Sequence, residues 1–183
     1  ARLLPRIMVL FALLAAAGPA QAAKVTFVLV NDIYEMADQQ LQDGKMRGGF
    51  ARLAAAVPFY GVYDWTNRDG TGRSDMDDML ARLILKTTRE ESPELWHDAS
   101  TMSWISADAP PFFVIHGAND SLVPVEQARS FVSMLRAESK SPVAYAELPG
   151  AQHAFEVFDS ARTLFTVGAV HRFLESIRAR SQD

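Results

Sequence analysis

Apolar and polar positions run through three rhythms along the chain. Residues 7–17 form an unbroken apolar run behind Arg2 and Arg6, closed by Gly18-Pro19 and Ala20-Gln21-Ala22. Residues 24–30 (KVTFVLV) are rich in β-branched side chains and predict a buried strand. Residues 47–53 then lead into an alanine-rich stretch that reads as a short helix. Residues 57–62 (VPFYGV) predict a strand and residues 67–72 a polar, glycine-rich loop. Residues 76–86 show helical spacing through Met79, Leu80, Leu83 and Ile84. Ser92-Pro93 begins a short helix or turn, residues 96–104 read as irregular, and Ala109-Pro110-Pro111 breaks the chain.

The second half is plainer. Residues 112–116 (FFVIH) are a continuous apolar run, the type buried between helix layers in a parallel sheet. Pro124 suits the first turn of a helix, where its missing N–H is no loss. That helix carries Val125, Ala128, Phe131, Val132 and Leu135 on one face. Residues 143–148 predict a further strand, and residues 160–179 a last helix with Val167, Val170, Leu174 and Ile177 inward. Strands alternating with helices at this length predict α/β layering, with a partial, mainly parallel sheet and flanking helices.

Composition narrows the chemistry. The chain has 183 residues, with 18 Lys+Arg against 22 Asp+Glu and a net charge of −4. No basic excess points to nucleic acid. There is no cysteine, which excludes disulfides, thiol nucleophiles and cysteine-held zinc. None of the four histidines stands four residues from another, the spacing of a helical metal pair, so neither a metal nor a cofactor is expected. The apolar run of residues 7–17 is shorter than the roughly 20 residues of a membrane-spanning helix. With its basic start and small-x-small close it reads as a signal peptide over residues 1–22, which predicts no stable membrane span and export to the periplasm or medium where the signal functions, a cytoplasmic place otherwise.

The stretch after that address has its own character. Residue 30 runs into Asn31-Asp32-Ile33-Tyr34, and Gly48-Gly49-Phe50-Ala51-Arg52-Leu53 follows. This resembles the opening of the 5′-nucleotidase type of metallophosphoesterase, where a strand ends in Asn-Asp-x-His and a Gly-Gly-x-Ala-Arg-Leu segment follows. The resemblance covers residues 24–57. It places Asp32 at a metal-ligand position, but Tyr34 stands where the family has histidine, and none of the family's later ligands follow. Asp32 thus reads as a loop or capping residue.

The residues that carry chemistry are Asp120 and His153, each just past the end of a predicted strand. In open α/β sheets that edge is where ligands bind. A carboxylate there can orient an imidazole, which can draw a proton from a hydroxyl. The runs His116 to Pro124 (HGANDSLVP) and Gly150 to Phe155 (GAQHAF) resemble the acid and histidine loops of α/β-hydrolase esterases and lipases. Residues 57–64 (VPFYGVYD) resemble the strand after the nucleophile helix of the hormone-sensitive-lipase-like carboxylesterases. This second resemblance covers residues 55–180. It implies an incomplete α/β-hydrolase fold, an ester substrate, and Asp120 and His153 as catalytic acid and base. His116 is expected to pack or to bond to backbone. Tyr60, Tyr63, Trp65 and Trp104 are candidates for a pocket wall or for the core.

The family's serine lies in Gly-x-Ser-x-Gly ahead of the residue-57 strand. Every serine of this chain stands at position 74 or later, and Ser74 has Met76 where the second glycine belongs. The His-Gly-Gly-Gly oxyanion segment is absent too. The organisation expected is therefore a signal peptide (1–22), a metallophosphoesterase-like segment (23–56) and the C-terminal part of a hydrolase domain (57–183), joined as a hybrid near Ala54 to Val57. The function expected is carboxylic-ester hydrolysis by ancestry, inactive as given for want of a nucleophile. The alternatives are a noncatalytic or hybrid product, or a fragment of a metal-dependent 5′-nucleotidase. Too few strands to close the sheet predicts self-association through an exposed edge.

Overall fold

The computed structural model describes residues 54–180, together with the backbone of two short strands, β1 (Asp38–Gln40) and β2 (Met46–Gly48). The chain divides into Ala1–Asp32 and Ile33–Asp183, and the first unit lies outside the described residues. So do the signal segment, the predicted strand at residues 24–30 and Asp32. β1 and β2 pair antiparallel, a hairpin that the polar residues DQQ and MRG do not announce.

From residue 54 the elements are α1 (Ser74–Met79), a π-helical turn (Leu80–Leu85), α2 (Pro93–Ala99), a 3₁₀ turn (Thr101–Trp104), β3 (Phe112–Gly117), α3 (Val125–Glu138), β4 (Val143–Leu148), a 3₁₀ turn (Phe155–Val157) and α4 (Ala161–Arg180). β3 and β4 are parallel, in register from Phe112 opposite Val143 to Gly117 opposite Leu148. A parallel pair needs a crossover, and α3 supplies it.

Residues 56–60 run along the other edge of β3. Ala56 N–H donates to Pro111 O at 2.8 Å, Phe113 N–H to Ala56 O at 2.9 Å, Ile115 N–H to Pro58 O at 3.0 Å and Tyr60 N–H to Ile115 O at 2.8 Å. The rung between them would need an N–H on residue 58, and proline has none. The segment therefore pairs through isolated bridges, Ala56 with Phe112 and Phe59 with Ile115. Ala54 to Ala56 is not helical, because those residues lead into this pairing and Pro58 disfavours helix just ahead of it.

β3 is central, buried along its whole length. Its alternating side chains divide between two cores. Phe112 and Val114 pack with Tyr63 and with Ala128, Phe131, Val132 and Leu135 of α3. Tyr63 and Phe131 lie nearly parallel with ring centres 4.3 Å apart, and Phe112 meets Phe131 edge-on at 5.5 Å. On the other face Phe113 and Ile115 pack with Val57, Phe59 and Ala169, Val170 and Phe173 of α4. Helices on both faces of a parallel sheet make the α/β layering that the sequence predicts.

Three readings need correction. The short helix expected to begin at Ser92-Pro93 runs on through residues 96–99 of the supposed irregular stretch, burying Trp96 and Ala99, and residues 101–104 form a 3₁₀ turn. The helix predicted at residues 76–86 is α1 continued by a π turn, and it ends at Lys86 in the left-handed conformation (φ 60°). In α4, Thr166 is buried, Ala169, Val170 and Phe173 face the sheet, and Val167 is 45% exposed rather than inward. No described helix is long and apolar enough to cross a membrane.

Candidate active site

Two loops meet at the carboxyl ends of β3 and β4. The turn after β3 carries Asp120, whose N–H donates to Gly117 O at 3.2 Å. The loop after β4 turns at Gly150, at φ +66°, where a side chain would be strained. Backbone bonds join the loops: Ala118 N–H to Leu148 O at 3.0 Å and Asn119 N–H to Ala151 O at 3.0 Å. Asn119 Oδ1 accepts from Gly150 N–H at 3.0 Å, and Gln152 Oε1 from Ser121 N–H at 3.2 Å. The Arg73 guanidinium caps Ser121 O from outside.

The predicted pair is brought together. His153 Nδ1 lies 2.8 Å from Asp120 Oδ2. The Asp120 carboxylate is fully buried, and the His153 side chain is 28% exposed. Asp120 Oδ1 accepts from Leu122 N–H at 2.9 Å and Val123 N–H at 2.8 Å. Two backbone donors on one oxygen and an imidazole on the other hold the carboxylate in one orientation and satisfy its charge in burial. A carboxylate accepts only, so His153 donates from Nδ1 and leaves Nε2 as the basic nitrogen. No described hydroxyl hydrogen-bonds that nitrogen.

Tyr60 and Glu156 complete the surroundings. The Tyr60 ring centre is 4.2 Å from that of His153, and its hydroxyl donates to Glu156 Oε1. Tyr60 sits at φ +39°, unusual for a side chain of that bulk. Burial, reinforced by the Glu156 carboxylate, pushes its phenol well above the ordinary tyrosine range. Glu156 Oε2 is buried and has no partner among the described residues.

His116 bonds to backbone, as expected, with Nε2 2.9 Å from Val123 O. Of the four aromatic candidates only Tyr60 reaches the site. Tyr63 and Trp65 are buried core residues, and Trp104 borders a small cavity with Thr101, Ile105 and Phe131. Glu156 was missed, although its place three residues after His153 in a short turn is the kind of spacing that brings two side chains together. Among the described residues no cluster of three or more His, Asp or Glu could hold a metal.

Acid and histidine at the carboxyl edge of a parallel sheet, with helices on both faces, define the α/β-hydrolase fold. Solved structures agree on that fold. The esterase Est2 from Thermogutta terrifontis superposes with a TM-score of 0.53 at 24% identity, over 68% of this chain and 42% of its own. An acetyl ester-xyloside bifunctional hydrolase from Caldicellulosiruptor lactoaceticus gives 0.56 at 22% identity, over 69% and 43%. A family model described as BD-FAE matches residues 17–135, and the chain belongs to that family. The match opens ahead of the segment that resembles a metallophosphoesterase and contains Asp120. The probable carboxylic ester hydrolase LipM of Mycobacterium tuberculosis is 50% identical over 141 residues, 75% of this chain and 33% of its own length. Esterase LipC of the same organism is 44% identical over 146 residues, 79% of this chain and 36% of its own. The chain thus spans about a third of these relatives.

Proposed function

We propose that the chain carries the acid and base of a carboxylic-ester hydrolase, Asp120 and His153, without the serine they serve. The observation that carries this is the 2.8 Å bond between His153 Nδ1 and a buried carboxylate, which leaves Nε2 free to take a proton. The similarity to LipM and LipC supports the ester class. In such a site Asp120 fixes the imidazole and stabilises its charged form, while His153 draws the proton from an attacking hydroxyl and returns it to the leaving alcohol. That hydroxyl must come within about 3 Å of Nε2. Without it the pair has nothing to activate, and the rate over water is small. Residues 1–22 act as an export signal in this reading, and residues 23–56 derive from a metallophosphoesterase-like segment joined near Ala54 to Val57.

Hydrolysis of short-chain nitrophenyl esters tests the reading. The expected rate is that of buffer, unchanged in His153→Ala. Turnover that vanishes in His153→Ala would confirm the esterase class and overturn the missing nucleophile. Release of phosphate from a nucleotide that depends on Mn²⁺ or Zn²⁺ would overturn the whole assignment in favour of the metallophosphoesterase alternative.

A further inference from the structure

One buried titratable group has no part in that scheme. His116, in β3, is fully buried and stands four residues before Asp120. Its Nε2 lies 2.9 Å from Val123 O and 3.5 Å from Asp120 Oδ2. A carbonyl can only accept, so the proton of this imidazole is on Nε2. Nδ1 is buried with no partner among the described residues. A second proton there would be a buried donor with no acceptor among the described residues, which favours the neutral ring.

The backbone of Val123 links His116 to the acid. Its N–H donates to Asp120 Oδ1 at 2.8 Å, and its C=O accepts the hydrogen bond from His116 Nε2–H. That C=O is the carbonyl of the peptide to Pro124, the cap of α3. The Val123 carbonyl is therefore tied to the sheet through His116, and Asp120 is tied to Val123. The same Nε2 also stands 3.5 Å from Asp120 Oδ2, the oxygen that receives His153.

We propose that His116 is a positioning residue: a neutral, Nε2-protonated imidazole that anchors Val123 to β3 and so fixes Asp120 for His153. The function assigned to it rests on the reading of Asp120 and His153 as acid and base; its tautomer does not. The titratable groups that face it are Asp120 on its own turn, His153 on the histidine loop and Glu147 on β4, and burial outweighs the two carboxylates in holding it below the ordinary histidine value.

Nitrogen-15 NMR of the histidines, from about pH 5 to about pH 8, reads the tautomer directly. His116 is expected as the neutral Nε2–H form throughout. The Nδ1–H form, or ionisation within that range, overturns the proposal. The downfield proton of His153 Nδ1–H reads the positioning. It is expected in the unsubstituted chain, weakened or lost in His116→Leu, and kept in His116→Gln, whose amide can donate from the same reach. A filler of space would lower the melting temperature in His116→Leu and leave that resonance unmoved, which would overturn the proposal. If His116→Leu does not fold, His116→Gln and the tautomer still decide. Asp120→Ala separates the two claims: a His153 resonance that survives it sinks the acid–base reading, whatever His116 shows.

Discussion

A β-carbon built on Gly117 would stand 2.5 Å from the carbonyl oxygen of Ala151. The acid turn and the histidine loop therefore touch through backbone, and only a residue without a side chain lets β3 end there. Gly117→Ala should destabilise the fold by about 1–3 kcal/mol, because backbone rather than a flexible side-chain tip must move. Thermal unfolding checks the loss. The same variant should weaken the His153–Asp120 bond, seen in the His153 Nδ1–H resonance.

Tyr60 and Glu156 should act as one unit. Tyr60→Phe keeps the ring against His153 but strips the Glu156 carboxyl of its one described partner. The expected loss is about 1–3 kcal/mol. Glu156→Leu removes both the charge and the need for a partner, so adding Tyr60→Phe to it should do little further harm. A double-mutant cycle by denaturant unfolding checks this; strict additivity would mean that the two side chains do not interact.

The tyrosines should also titrate late. Burial raises Tyr60, Tyr63 and Tyr145, with Glu156 adding to the first and Glu147 to the last. In the unfolded chain a phenol ionises near pH ~10. Their stabilisation is thus whole below about that pH and is lost as the pH rises beyond it. Ultraviolet titration should show these phenols ionising together with alkaline unfolding, not before it.

His116 sets the acid side. Its folded value is held below the ordinary histidine value by burial. Above pH ~6.5 neither state binds the proton, and its contribution is whole. Below that the unfolded chain takes a proton that the folded one refuses, so stability falls with pH, by up to about 1.4 kcal/mol per pH unit for one group. His116→Gln should flatten that part of the curve. An unchanged slope would place the acid sensitivity elsewhere.

An apolar surface adjoins the histidine loop. Val157, Phe158, Leu164 and Phe165 are each 70–76% exposed, and β4 pairs on one side only among the described strands. Exposure of this kind on consecutive turns favours association. Sedimentation should show concentration-dependent self-association that Leu164→Glu with Phe165→Glu reduces. A monomer with a sharp, cooperative melt would contradict it.

The core of this fold was legible where the sequence leaves one choice. The run FFVIH has no polar face, so it must be a central strand, and Pro124 with a 3.6-residue stripe fixes α3. The phase of α4 was not legible, because Leu164, Phe165 and Val167 are apolar on its outer side and blur the stripe. The LARLIL run carries nothing that separates a π turn from α-helix. Asp120 and His153 were legible from strand ends. Tyr60 needed its left-handed φ, and its bond to Glu156 needed the folded loops, since it crosses 96 residues; the Val123 anchor lies only seven residues from His116 but needed the turn that brings the two together.

The most direct test of the central claim is labelling of the folded 183-residue chain with a fluorophosphonate, read by mass spectrometry. The account predicts that no serine is modified above the level of the unfolded chain. A serine labelled in the folded chain, with the label lost in His153→Ala, would contradict it by showing a nucleophile already within reach of the base.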